Sequence, residues 1–324
     1  MVAMMRLTAK DVISRHEKAL TKKENFRSLY EEAYEFALPQ RNLYDGYYDG
    51  GVSGQKKMNR VFDSTAIAST QRFANRMQSG IFPPQRKWCR LEPGSDIPSD
   101  RKQEAQAALD VYSDRMFDTL KQSNFDVAIG EFLLDLSVGT AVMMVQPGDE
   151  TNPINFVPVP QYLVAFEEGA DGQVDNVYRR MRIKGEVLKR QWPDIKIPQE
   201  MQRKIDEKPT EELDLIEATV QDQKRGDYCY HVIDKASKTE LVYRRMETSP
   251  WIVSRYSKVA GEIYGRGPLI TAMPDIKTLN KTLELVLKNA SLAISGVYTA
   301  ADDGVLNPNT VQIMPGAIIP VARN

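Results

Sequence analysis

Histidine and cysteine are nearly missing, with two of each in 324 residues. Cys89 and Cys229 lie far apart and outside any CxxC or metal-ligand spacing, so no zinc site or disulfide framework is expected, and a reducing cytosolic setting is the economical reading. His16, on an outwardly polar helix, and His231, in a strand, have no second ligand at metal spacing and read as structural. No GxSxG elbow, HExxH or Cys-with-His arrangement supplies a catalytic group. GVSGQKK at 51–57 lacks the spacing and the hydroxyl of a phosphate loop, and GEIYGRGP at 261–268 is not GxGxxG in a βαβ unit. Neither a cofactor nor a metal is expected. Nothing approaches 18 consecutive apolar residues, and the first twenty residues lack a signal-peptide pattern, so no membrane span is expected. A charge excess is also missing: 43 Lys and Arg face 44 Asp and Glu, net −1. Any contact with DNA must therefore be local. No repeat of 20 to 50 residues and no low-complexity segment is present.

What is present suits two or three domains built on a real core, at 42% hydrophobic residues. Thr8 and Asp11 form a capping box for a first helix, whose apolar pattern runs to Pro39. Residues 40–60, rich in Gly, Tyr and Asp, read as a loop. A second helix is expected from an Asp63 cap to Gly80 as its C′ residue, before Pro83-Pro84. Two more are expected at about 99–123 and 125–144, the latter apolar around most of its circumference. Period-two patterns then give strands at INFVPVPQYLVAFEE and VDNVYRRMRI, joined by a turn at GADGQ. A helix follows at GEVLKRQW, then an acidic polar stretch around 207–227. Further strands are YCYHVIDKA, ELVYRRMET and PWIVSRYSKV, so 210–260 reads as a small β-rich insertion between helices. The fold class is α+β.

The helix from about 268 to 294 is the most informative element. At 100° per residue, Leu279, Leu283, Val286, Leu287, Ala290 and Ala293 share one broad stripe. Lys277, Lys281 and Lys288 fall within about 40° of one another, nearly opposite. A lysine row offers non-specific phosphate contacts through mobile point charges, although a solvated helix face has the same pattern. Other basic candidates are Arg72 and Arg76, QRKWCR at 85–90, and YRRMR at 178–182. Trp88, Trp192 and Trp251 suit core or subunit-interface packing better than base stacking. The acidic pairs Asp302-Asp303 and Glu211-Glu212 read as solvated turns.

The block VFDSTAIASTQRFANRMQSGIFPPQRKWCRLEPG, from Val61 to Gly94, resembles the head-to-tail connector, or portal, family of short-tailed double-stranded DNA phages. The order and spacing of its Asp-Ser-Thr helix start, Phe-Pro-Pro turn and Trp before Leu-Glu-Pro carry the likeness. FDVAIGEFLLDLSVGTAVMMV, VPVPQYLVAFEEGADGQVDNVYRR and WIVSRYSKVAGEIYGRGPLITAMPDIKTLN support it. The resemblance implies a non-enzymatic subunit of a dodecameric ring at the capsid vertex, conducting double-stranded DNA during packaging and ejection. Terminase large subunit, tail adaptors, major capsid protein and scaffold are the implied partners. It divides the chain into a wing (1–182), a first stem helix region (183–209), a clip (210–262), a returning stem helix (263–294) and the start of a return into the wing (295–324), with tunnel loop and crown expected to be absent. Lys277, Lys281 and Lys288 then become candidates for lining the DNA channel. The alternatives are an accessory subunit of a nucleic-acid-processing enzyme, which would need clustered carboxylates or a nucleotide loop, and a tail adaptor or assembly protein.

Overall fold

A computed structural model describes residues 7–44, 58, 60–84, 86–223, 225–296, 298–301 and 317–321. The Gly/Tyr/Asp-rich tract 45–57 and the Asp302-Asp303 pair lie outside the described residues. Helix α1 (Ala9–Glu24) starts at the capping box: the Asp11 amide donates to Thr8 Oγ1 at 3.3 Å, and the Thr8 amide donates to Asp11 Oδ2 at 2.9 Å. Helix α2 (Arg27–Ala37) follows after a break at Asn25-Phe26, then come α3 (Thr65–Ile81), α4 (Lys102–Gln122) and α5 (Phe125–Val138). The Asp63 carboxylate accepts from the amide and hydroxyl of Thr65 at the start of α3. Gly80 is not the C′ residue; the helix runs on through Ile81 and ends at Phe82, just short of Pro83-Pro84.

The helix expected over 125–144 is also corrected, since it stops at Val138 and Thr140–Pro147 is strand β1. Its residues are needed on both sides: β1 lies between β2 (Ile154–Pro158) and β8 (Trp251–Arg255), antiparallel to each. Continuing the helix would leave both neighbours without backbone partners.

A second antiparallel sheet has the order β3-β4-β5-β6-β7, from β3 (Val164–Glu168), β4 (Val174–Lys184), β5 (Glu212–Gln221), β6 (Tyr228–Asp234) and β7 (Thr239–Met246). Strand β5 is the part of 207–227 that composition marks as a polar stretch. Its alternation sends Leu215 to one core and Ile216 and Ala218 to another. Buried Glu217 is held by Arg179 at 3.4 Å and by the Tyr230 hydroxyl. Because β5 pairs with β4 from Val177↔Thr219 to Lys184↔Glu212, one sheet runs across the expected boundaries at 182 and 210.

The segment 183–209 is no single stem helix. It holds α6 (Leu188–Gln191) and α7 (Gln199–Glu207), interrupted by a Pro193 to Pro198 stretch. Leu188, Trp192, Met201 and Ile205 bury against the sheet, and Trp192 Nε1 donates to the Tyr230 hydroxyl at 3.0 Å. The segment is a cover over the sheet. After β8 comes α8 (Pro268–Ser295), 28 residues long, and then β9 (Tyr298–Ala301) and β10 (Ile318–Val321), which pair in parallel and join neither larger sheet.

Helix α1 lies on the other face of the second sheet. It buries Val12, Ile13, His16, Ala19 and Lys23, a helical spacing, against Ala165, Tyr178, Ile216 and Ile233. His16 thus sits inward, correcting its reading as part of a polar face. Lys23 Nζ donates to the carbonyls of Gln161, Tyr162 and Val164 at 2.8, 2.5 and 2.9 Å, at the start of edge strand β3. Burial pulls this amine down to about 7, while three acceptors together need the three donors of the ammonium form.

Burial, with Lys235 and Arg180 adding to it, pushes the His16 imidazole from 6.5 down to about 4. On acidification the unfolded chain takes up the proton first. The stabilisation is complete above about pH 6.5 and is lost as pH falls toward 4, by about 3 kcal/mol in all. Urea unfolding across that range should show this slope in the parent chain and a shallower one in His16→Leu; equal slopes would contradict it.

Candidate functional site

Helix α8 is mounted by backbone crossing backbone. Gly265 and Gly267, either side of Arg266, pass directly over the end of α5 and the start of β1. The Gly267 amide donates to the Val138 carbonyl at 2.8 Å, and the Gly265 amide to Thr140 Oγ1 at 2.8 Å. The Tyr30 hydroxyl donates to the Gly265 carbonyl. A methyl group at Gly267 would stand 2.1 Å from the Ser137 carbonyl oxygen, and one at Gly139 would stand 2.1 Å from that of Gly265. The glycines that fail as a nucleotide motif are there so that two chain segments can touch. Pro268 then opens the helix at its first position, where its missing N–H costs nothing.

Leu269, Met273, Ile276 and Asn280 face the body. Asn280 is buried, and its side chain bonds only to backbone. Its Oδ1 accepts from the amides of Phe62 and Asp63 at 2.7 and 3.2 Å, and its Nδ2 donates to the Arg60 carbonyl at 2.8 Å. The sequence reading passed over this residue. An asparagine among the apolar positions of an amphipathic helix is the signal that could have found it.

From Leu279 onward the apolar stripe is largely uncovered among the described residues, Leu283 being half-buried. Leu279, Val286 and Leu287 are 43%, 54% and 55% exposed, and Ile294 is 85% exposed. A helix left bare over its apolar face is unusual in a protein that works alone.

The lysine row is on α8 as expected, but each member has a carboxylate partner. Lys277 reaches Glu32 of α2 at 3.0 Å, and Lys281 and Lys288 converge on Glu284 at 2.9 and 2.6 Å. These side chains are about half exposed or more, apart from Glu284, and such pairs contribute at most about 1 kcal/mol and exchange readily. Between them the two lysines hold the Glu284 carboxyl below its usual range.

The other basic candidates divide. Lys87 and Arg90 are paired with Asp114 and Asp110 of α4, and Arg179 and Arg180 with Glu217 and Asp214. Arg72 and Arg76 are exposed on α3. The tryptophans are packing residues. Trp88 meets Phe82, Phe117 and Phe125 at centroid distances of 5.0, 5.4 and 6.0 Å, while Trp251 is buried with Nε1 donating to Thr219 Oγ1 at 2.9 Å. Buried His231 places Nδ1 2.7 Å from Glu240 Oε1. Among the described residues no group of three His, Cys, Asp or Glu is placed to hold a metal, and no helix is long and apolar enough to cross a membrane.

An α+β body carrying one long helix with a bare apolar face and a charged opposite face is the build of an assembly subunit. The profile of the bacteriophage head to tail connecting protein family matches residues 9–324, and the chain belongs to that family. A probable portal protein of Bordetella phage BPP-1 is 24% identical over 286 residues, covering 83% of this chain and 50% of the relative. The chain thus spans about half the length of that curated relative. The family is one of structural proteins.

The crossing predicts an asymmetric response to alanine. Gly267→Ala, whose methyl meets fixed backbone, should destabilise the chain by about 1–3 kcal/mol or more. Gly80→Ala, with open space around a helical site, should be neutral or stabilising by up to about 1 kcal/mol. Paired thermal melts check both, and equal melting temperatures for the two variants would count against the crossing.

Proposed function

We propose that the chain is a portal ring subunit, and the bare apolar stripe of α8 carries this reading. A helix whose exposed half presents Val286, Leu287, Ala290 and Ala293 along one side has nothing among the described residues to bury them against. A second copy of the same helix supplies that surface. Cyclic repetition of a contact between two different faces closes it into a ring, twelve copies being the number that the family resemblance implies.

With the stripe turned to neighbouring copies, the lysine side faces the central passage. Three lysines against Glu284 and Glu32 leave that face weakly positive. Exchangeable surface pairs fit a duplex that must slide: they attract phosphates without gripping them, and they read no sequence. In this reading the ring stands at the capsid vertex of the virion, after assembly in the host cytoplasm. It contacts the major capsid protein and scaffold on one side and the terminase large subunit, then tail adaptors, on the other. ATP hydrolysis belongs to the terminase, and this chain catalyses nothing.

The sheet continuity supports a different division from the one first drawn. Residues up to about 267 act as one wing-like body, and α8 is the stem. Since α8 is the element that leads away from the body, the end facing terminase and adaptors lies toward its C-terminus.

Negative-stain microscopy of the purified protein should show round particles with a central hole. Val286→Glu together with Leu287→Glu should leave circular dichroism unchanged and abolish those particles. Persistent monomers of the parent chain would overturn the proposal. In a packaging assay, Lys277→Glu, Lys281→Glu and Lys288→Glu combined should keep rings intact while reducing DNA packaged or retained. Unchanged packaging would return the row to an ordinary solvated face.

A further inference from the structure

Beyond the apolar packing of Leu269, Met273 and Ile276, hydrogen bonds fix the direction of α8 at two places with a weak link between them. The first is the glycine crossing at Gly267. The link is Pro274, inside the helix, which has no N–H for the Ile270 carbonyl and so interrupts the ladder. One turn on, Thr278 Oγ1 donates back to the Pro274 carbonyl at 2.9 Å, and Thr282 Oγ1 to the Thr278 carbonyl at 2.9 Å, contacts that bend helices further. The first turn and a half of α8 therefore does not rigidly hand its direction to the exposed half. The second place is Asn280, with its three bonds to the backbone of residues 60–63.

That backbone is itself held. The Asp63 carboxylate, one residue before the Ser64 cap of α3, accepts from Thr65, and the Arg60 guanidinium pairs with Glu35 of α2 at 3.1 Å and lies 6.0 Å from the Phe36 ring centroid. The nearby Lys277–Glu32 pair is half exposed and too weak and compliant to replace the clamp. From Asn280 to Ser295 the helix extends about 22 Å, so a small rotation at the clamp is magnified at the tip.

We infer that Asn280 is a positioning residue that fixes the angle between α8 and the body, and through it the number of copies that close a ring. The inference rests on the ring reading for its second half only. Rings of twelve and thirteen differ by about 2° in rotation per copy, so a clamp that admits a few degrees of play admits more than one ring size.

The experiment uses Cys89→Ser, Cys229→Ser protein with spin labels on Ser69 of α3 and Ser291 of α8, both exposed, alongside native mass spectrometry of unlabelled protein. The parent chain should give one narrow label distance and one dominant ring mass. Asn280→Ala removes three hydrogen bonds, each worth about fivefold in the clamped population. It should broaden the distance distribution and give several ring masses or open arcs, with unchanged circular dichroism. If that variant does not fold, Asn280→Asp keeps the one oxygen that accepts from both the Phe62 and Asp63 amides but sets an oxygen against the Arg60 carbonyl, and the same broadening is expected. Lys277→Ala, outside the clamp, should leave both readouts as in the parent. A narrow distance, or a single unchanged ring mass, in the Asn280 variants would overturn the inference. Absence of rings in the parent chain would defeat the ring reading instead, and the label distances would then decide the clamp alone.

Discussion

Two stretches of backbone, Val138-Gly139 and Gly265 to Gly267, meet with no side chain between them, and most of the architecture is arranged around that contact. It ends α5, starts β1, orients β8 through the Tyr256 amide on the Gly139 carbonyl, and fixes the root of α8. Tyr30, from α2, reaches into the same place, and its ring lies among Phe26 and Tyr264. The contact is steric before it is energetic. Any side chain at these glycines forces the helix root away from the sheet, and neither helix nor sheet can shift without losing its own core.

Legibility followed locality. The Thr8–Asp11 capping box, the start of α3 just after Asp63 and strands β4, β6 and β7 were readable because their signals are completed within a few residues, whereas INFVPVPQYLVAFEE, expected as one strand, is two, β2 and β3, in different sheets. The α5–β1 junction was misread because VGTAVMMV is apolar enough for a helix, and what makes it a strand is partners more than a hundred residues away at Trp251–Arg255. Strand β5 was hidden by its acids; Glu217 reads as solvent-facing until Arg179 and Tyr230 are found beside it. His16 and Lys23 have the same explanation, being polar residues buried by long-range partners that composition does not record.

Of the candidate site, the sequence displayed the pattern and concealed the mounting. The stripe and the lysine row are properties of one helix and could be counted directly. Glu284, three residues from Lys281 and four from Lys288, could have been counted too; that the stripe is bare, that Glu32 answers Lys277, and that Asn280 holds residues 60–63 are tertiary facts. GEIYGRGP shows the same division: its glycines were visible, but their purpose was not until the opposing backbone was in view.

Lys23 has a further consequence for a chain that would be displayed in many identical copies. Strand β3 is an edge, and an edge offers unpaired acceptors to any extended segment that drifts against it. The buried ammonium takes up three carbonyls at the point where such an intruder would begin to zip. The same lysine that fastens α1 to the sheet thus stands where strand exchange along the β3 edge would begin.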